Sequence, residues 1–462
     1  MYVLTYTPAS KMTVTVASQS RIGHALDPEA RLRRSPQALA VVVLAVVLGP
    51  ACRSARGPAS ASPDLRAENA ASFDRVWTTV RDRHWDPTLG GLDWEAVRAE
   101  LRPRAAGART REEARAVLSE ALERLGQSHF AIVPAEAYAD ASEPEADGAG
   151  AAGFSTRILE GRATVASVLP GSPAERVGIR PGWVERAIDG KEVAPDLRGI
   201  DAPFRRALQA LAVDARWAGP TGTPREGSFE DGTGRKVRRT VVLEPAAGTP
   251  AQLGWLPTQY LRFDTRTLEG GAGYVHFNVF LDPPTLMPAF EDALHRFREA
   301  PGLVLDLRGN IGGIGVLAMG IGGWLVAEPN RELGTMTTRE GTLRFVLNPR
   351  NPVFDRPLAV LVDEVSISTA EILAGGLQDL GRARVFGSPS AGAALPSAIE
   401  RLPNGDGFQY AIANYVRTGG QPLEGRGVLP DVEAPLTREA LLAGRDPALE
   451  AALTWIRSRP VP

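Results

Sequence analysis

Three hydroxyl side chains, Ser366, Ser368 and Thr369, fall where an apolar run from Leu358 to Val362 gives way to a helical pattern over 370–380, in "LAVLVDEVSISTAEILAGGLQDL". A serine at the mouth of a helix has free N–H groups and the positive end of the helix dipole beside it, a setting that stabilises negative charge on oxygen. The same setting also suits an ordinary helix cap. Upstream, "GLVLDLRGNIGG" closes a buried-strand pattern with Asn310 and the pair Gly312-Gly313. Glycines there let the main chain approach another group with its N–H exposed, which is how an oxyanion hole is built. A nucleophilic serine needs a base. Lysine is scarce, with Lys11, Lys191 and Lys236 only, none of them near the serine in the chain. Histidine, with an unperturbed pKa near 6.5, is the natural alternative. His24 precedes an apolar N-terminal run; His84 and His295 sit in helical patterns and read as surface or boundary residues; His276, in "YVHFNVF", reads as a half-buried strand residue. His129 stands apart, at a helix-to-strand junction in "GQSHFAIVP" directly after Ser128. On residue types alone, His129 and His276 both remain candidates.

The elements that must position these groups follow from patterning. Phe73, Val76, Trp77 and Val80 recur at helical spacing, and a second helical pattern runs from Thr110 to Leu125, predicting a small N-terminal helical domain over 69–135. An acidic Ala/Gly-rich linker is expected over 136–150, and short strands with turn signals fill 151–246. Beyond 247, strands alternate with helices to the end of the chain, which predicts a layered α/β core. Active residues are then expected where strands end in loops.

Residues 151–246 resemble a PDZ domain, on Gly171-Ser172-Pro173-Ala174, Gly178, Arg180-Pro181-Gly182 and Asp189-Gly190. That resemblance implies capture of a peptide C-terminus along a sheet edge, with Gly153-Phe154 in the carboxylate-binding loop. Asp306-Leu307-Arg308-Gly309-Asn310, Gly312-Gly313, Ser368, Glu371, Gly387, Gly392 and "EGRGVLPD" resemble, in order, the core of the C-terminal processing (tail-specific) serine peptidases. The resemblance implies an α/β fold with a crotonase/Clp-protease-like spiral core, an N-terminal helical segment and an inserted PDZ-like β domain. It implies Ser368 as nucleophile and an oxyanion hole made of the N–H groups of Thr369 and of Gly312 or Gly313. Members that use a lysine base carry it in a Thr-x-Gly-Lys pattern, and here the aligned residues are Ser390-Ala391-Gly392-Ala393. With alanine at the lysine position, the chain is more similar to the tricorn-type branch and its Ser-His-Ser-Glu tetrad. By that resemblance His129 is the base, Ser128 its partner and Glu424 the glutamate.

The net charge of −2 gives no pull toward nucleic acid, and one cysteine excludes an internal disulfide and a cysteine-rich metal site. No metal and no cofactor are implied. Residues 1–52 carry a basic patch, then a short apolar run ending at Cys52. They resemble a bacterial export signal, with lipidation of Cys52 as the one expected route to a membrane; a linker is expected over 53–68. The expected activity is that of an exported, periplasmic or envelope serine endopeptidase acting on proteins or peptides with apolar or unstructured C-terminal tails. The alternative is an inactive peptide- or apolar-ligand-binding envelope protein or PDZ scaffold. Neither the oligomeric state nor the physiological substrate follows from the sequence.

Overall fold

The computed structural model describes residues 42–44, 63–135, 149–193, 202–253 and 256–459. The export-signal and Cys52 expectations therefore lie outside the described residues, apart from a short strand at Val42–Leu44.

The first helix, Pro63–Arg83, begins inside the segment expected to be linker, because Pro63 is pre-organised for a first helical turn. Asp93 and Thr110 cap the next two helices, Trp94–Gly107 and Arg111–Glu123, through their side-chain oxygens. These helices do not form a core of their own. Phe73, Trp77, Leu101 and Leu118 pack in one cluster with Ala398, Leu402, Phe408 and Tyr410 from the far end of the chain. The strand after them, Ala131–Val133, pairs antiparallel with Gly407–Ala411. The expected helical domain is thus one face of the C-terminal core, and this docking carries His129 inward. His84, expected near the surface, is fully buried: its ring nitrogens meet Asp86 O and Gln127 Oε1 at 2.9 Å each, so a polar ring is satisfied inside the cluster.

Residues 149–245 form a separate antiparallel sheet in the order 236–242, 224–230, 184–188, 162–168, 154–159. A one-turn helix, Pro173–Arg176, and a longer one, Pro203–Ala215, pack against it. Phe154, Trp183, Trp217 and Phe229 share its core.

The remainder is a mixed sheet in the order 263–267, 273–277, 303–306, 358–362, 384–387, 432–433. All its pairs after the first are parallel. The Pro447–Arg457 helix covers one face through Ala448, Ala452 and Ile456. On the other face Phe277 meets Phe290 edge to face, and Phe290 stacks on Trp324. Covered on both sides, Leu358 to Val362 are all buried, which is why that strand is apolar throughout. Among the described residues no helix is long and apolar enough to cross a membrane.

Candidate active site

The Leu358–Val362 strand ends in a tight turn, and the three hydroxyls there separate by what they bond. Ser366 Oγ donates to Leu307 O at 2.7 Å and accepts from Asp363 N at 3.0 Å, so it braces the turn. Thr369 Oγ1 donates to Gly313 O at 3.0 Å. Ser368 Oγ is buried and has no partner. Its backbone is held at φ 69°, ψ −117°, a conformation an L-residue adopts only under constraint from its surroundings. Ser368 does stand at the N-cap position of Thr369–Asp379, but the capping runs from inside the helix: Glu371 Oε2 accepts from Ser368 N at 2.8 Å. The hydroxyl takes no part in the cap.

Gly312 lies against the nucleophile, where a Cβ would come within 2.7 Å of Ser368 Cβ. Its N–H donates to Asn310 Oδ1 at 2.9 Å, and Asn310 Nδ2 is anchored on Phe277 O. Phe280 bonds Gly312 O and Ile314 N. Gly313 O accepts from Thr369 Oγ1, and Gly313 lies opposite Val43 in an antiparallel pairing. Of the glycine pair, Gly312 has its N–H already bonded within its own turn. The backbone of Val42–Leu44 lies antiparallel beside Gly312–Ile314 and pairs with Ser397, so the slot next to Ser368 admits an extended chain.

His129 is buried, with φ 61°. Its Nδ1 lies 2.7 Å from Ser128 Oγ, which donates to Glu424 Oε2 at 2.8 Å; Glu424 Oε1 accepts from Ser128 N at 2.7 Å, and Ala394 N adds a fourth contact at 3.1 Å. A hydroxyl has one proton to give. With that proton on the Glu424 carboxylate, Ser128 Oγ must accept from His129 Nδ1–H, and the lone pair of the ring falls on Nε2. His129 Nε2 is buried without a partner, as is Ser368 Oγ. Burial depresses the imidazole to about 3, so the ring is neutral at neutral pH. Burial also raises the Glu424 carboxyl, against the pull of its Ser128 and Ala394 donors.

The structure thus brings Ser128, His129 and Glu424 into one bonded chain and sets the Gly312-Gly313 turn against the Ser368-Thr369 turn. His276 faces elsewhere, its Nδ1 on Asp306 O at 2.9 Å. Gly153 and Phe154 begin the outer strand of the 149–245 sheet. Sequence reasoning placed Glu371 in a motif and gave it no task. Its buried carboxylate accepts from Ser368 N, Ala393 N, Gly392 N and Ser390 Oγ, at 2.6 to 3.0 Å, and burial still pushes it up to about 7. It ties Ser368 to the 390–393 loop, and that loop's next N–H, Ala394, reaches Glu424. The signal was legible as Ser-x-x-Glu, the spacing of a capping box. Among the described residues no cluster of His, Cys, Asp and Glu could hold a metal ion.

Residues 271–434 match the profile of peptidase family S41, and residues 65–123 that of the tricorn protease C1 domain. The chain is 28% identical over 392 residues to a carboxyl-terminal-processing protease of Synechocystis sp., covering 82% of this chain and 84% of that protein. It is 26% identical over 427 residues to the chloroplastic carboxyl-terminal-processing peptidase 3 of Arabidopsis thaliana, covering 85% and 76%. With tricorn protease homolog 1 of Streptomyces coelicolor it shares 27% identity over 406 residues, 84% of this chain and 35% of that longer one. The fold is similar to a photosystem II D1 C-terminal processing protease, at TM-score 0.56 and 21% identity, covering 85% of this chain and 98% of that one. It is also similar to mature CPAF, at TM-score 0.57 and 13% identity, covering 85% and 97%.

Proposed function

We propose, from the premise that this chain is a serine-type peptidase of the C-terminal-processing kind, that it works through a Ser-His-Ser-Glu tetrad and selects its substrates by their C-terminal tails. An extended substrate enters the slot beside Gly312–Ile314, and its scissile carbonyl meets Ser368 Oγ. His129 Nε2 takes the hydroxyl proton as the C–O bond forms, and the oxyanion is received by the N–H groups of Gly313 and Thr369. The proton then passes from Nε2 to the departing amine as the C–N bond breaks, and water, activated by the same nitrogen, hydrolyses the acyl-enzyme. Ser128 and Glu424 hold the tautomer that makes Nε2 basic.

One observation carries this reading. The two atoms the reaction needs, Ser368 Oγ and His129 Nε2, are both buried and both unpartnered, while the Ser366, Thr369 and Ser128 hydroxyls beside them are bonded. In resting sites such catalytic contacts are often open and close only with substrate. The 151–246 region is read as PDZ-like, offering the outer edge of Phe154–Leu159 to a peptide C-terminus, with Gly153 and Phe154 at the carboxylate end. The core is read as crotonase/Clp-protease-like, and the chain as exported.

The test is cleavage of an unfolded protein with an apolar C-terminus by the chain from Ser54 onward. Wild type is expected to cleave it, and Ser368→Ala and His129→Ala each to lose about 10³-fold or more in kcat/KM. Tail binding without cleavage by wild type would favour the scaffold reading, and full activity of His129→Ala would remove His129 as the base.

A further inference from the structure

The Phe154–Leu159 strand is the outer strand of its sheet among the described residues, so its outward main-chain groups are the ones an added peptide strand would bond. Thr156 lies opposite Val165. Val165 donates its N–H to Trp183 O and accepts from Gly182 N, both at 2.8 Å and both on its far side. In an antiparallel ladder a residue facing such a partner turns its own N–H and C=O outward. The Thr156 groups therefore point off the sheet, yet neither is open. The N–H donates to Asp214 Oδ1 at 2.9 Å, from the last turn of the Pro203–Ala215 helix, and the C=O accepts from Arg157 Nη1 at 2.9 Å.

We propose that Asp214 is a specificity-determining residue of the tail-docking edge: its carboxylate stands where the carbonyl of an added peptide would bond Thr156 N–H, and a tail docks only by displacing it. This rests on the reading that a peptide C-terminus docks along this strand. Once displaced, the carboxylate remains in the groove wall beside the peptide residue opposite Thr156. Counting antiparallel from a terminal residue opposite Phe154, that residue is the third from the end. A tail with a hydrogen-bond donor or a cation there gives Asp214 a new partner; an acidic side chain there repels it. The edge thus fits apolar-ended tails with a donor at the third position. The charged groups around Asp214 are Glu185 from the Val184–Ile188 strand, Arg157 from the edge strand, and Arg262. Burial, with Glu185 adding to it, pushes the Asp214 carboxyl up to about 7, so the competitor is fully charged only above neutrality.

The Thr156 carbonyl is also tied to the peptidase core. The guanidinium on the Thr156 carbonyl holds Asp363 Oδ2 through its Nε at 2.7 Å, and Asp363 Oδ1 accepts from Gly309 N and Val365 N at 3.0 Å each. Those two residues begin the oxyanion turn and the nucleophile turn.

The experiment is fluorescence anisotropy with the chain in a Ser368→Ala background, with Asp214 intact or changed to alanine. The probes are labelled decapeptides ending in Lys-Ala-Leu or Glu-Ala-Leu, with a C-terminal amide as control. With Asp214 present, the lysine peptide is expected to bind about tenfold more tightly than the glutamate peptide. Asp214→Ala is expected to tighten binding of the glutamate peptide about five- to tenfold and to level the difference, with a thermal transition close to that of the parent. An unchanged preference in a folded Asp214→Ala chain overturns the proposal. If that variant does not fold, Asp214→Asn replaces it: it keeps the shape without the charge, and a preference retained there is equally contrary. If no peptide binds either protein while wild type still cleaves unfolded protein, the docking reading itself fails and the inference falls with it.

Discussion

The catalytic turn and the outer edge of the 149–245 sheet treat their polar groups in opposite ways. Beside Ser368 the Ser366 and Thr369 hydroxyls are bonded, while Ser368 Oγ and His129 Nε2 are left without partners. At Thr156 the groups expected to be open are bonded by the chain's own side chains, Asp214 and Arg157. A site that does chemistry gains by being ready, because reorganisation during the reaction raises the barrier. A site that selects gains by holding a competitor, because a weak ligand then fails to displace it.

That contrast can be broken or sharpened in three further places. The largest effect is expected at Glu424. Glu424→Gln places an amide where a carboxylate accepts from Ser128 N, Ser128 Oγ and Ala394 N. An amide nitrogen aimed at Ser128 Oγ makes that hydroxyl donate to His129 Nδ1 and puts the ring proton on Nε2, so kcat should fall about 10²- to 10⁴-fold. The same argument sets the acid limb of the wild-type pH profile. Glu424 is raised by burial, so as pH falls it protonates well before His129, which is depressed to about 3. Activity should therefore fade toward acid with the glutamate, and the limb should vanish in Glu424→Gln. A limb that survives unchanged would contradict the tautomer argument.

A smaller loss is expected at Glu371. Glutamine offers one acceptor oxygen to four donors, stranding at least one buried N–H at a cost of about 1–3 kcal/mol. Glu371→Gln should lower kcat about ten- to a hundredfold with little change in KM, and lower the thermal midpoint. A rise in KM alone would mean that it shapes the slot rather than the nucleophile.

The smallest effect on chemistry is expected at Gly153, where φ is +84° and a Cβ would stand 2.3 Å from Ser172 Cβ. Gly153→Ala should weaken tail binding about tenfold, from strain of about 1–3 kcal/mol, and leave cleavage of short peptides unchanged. Equal losses on long and short substrates would show that the edge and the catalytic turn are not separable.

Much of the catalytic turn was legible in the chain because its parts are local. The apolar run, the hydroxyls and the helix pattern sit side by side in one stretch, and the absence of lysine near Ser368 pointed away from a lysine base before any geometry was known. Burial read less well. His84 looks like a surface residue in its helical pattern, yet it lies in a core completed by Phe408 and Tyr410, which sequence spacing does not bring near. Glu371 could have been assigned from its capping-box spacing. Asp214 carries no such signal, since its meaning depends on a strand 58 residues away.

By itself, then, the sequence determined the types: a serine at a strand-to-helix turn, glycines where main chain must come close, a histidine paired with a serine, and an acid before a glycine-rich turn. It did so because strand and helix periods and turn chemistry are short-range. Only the tertiary structure decided which of three hydroxyls is free, which histidine nitrogen carries the lone pair, and that the outward groups of Thr156 are already bonded. Each of those is a matter of which buried donor meets which acceptor, and a buried polar group finds its partner across the fold rather than along the chain.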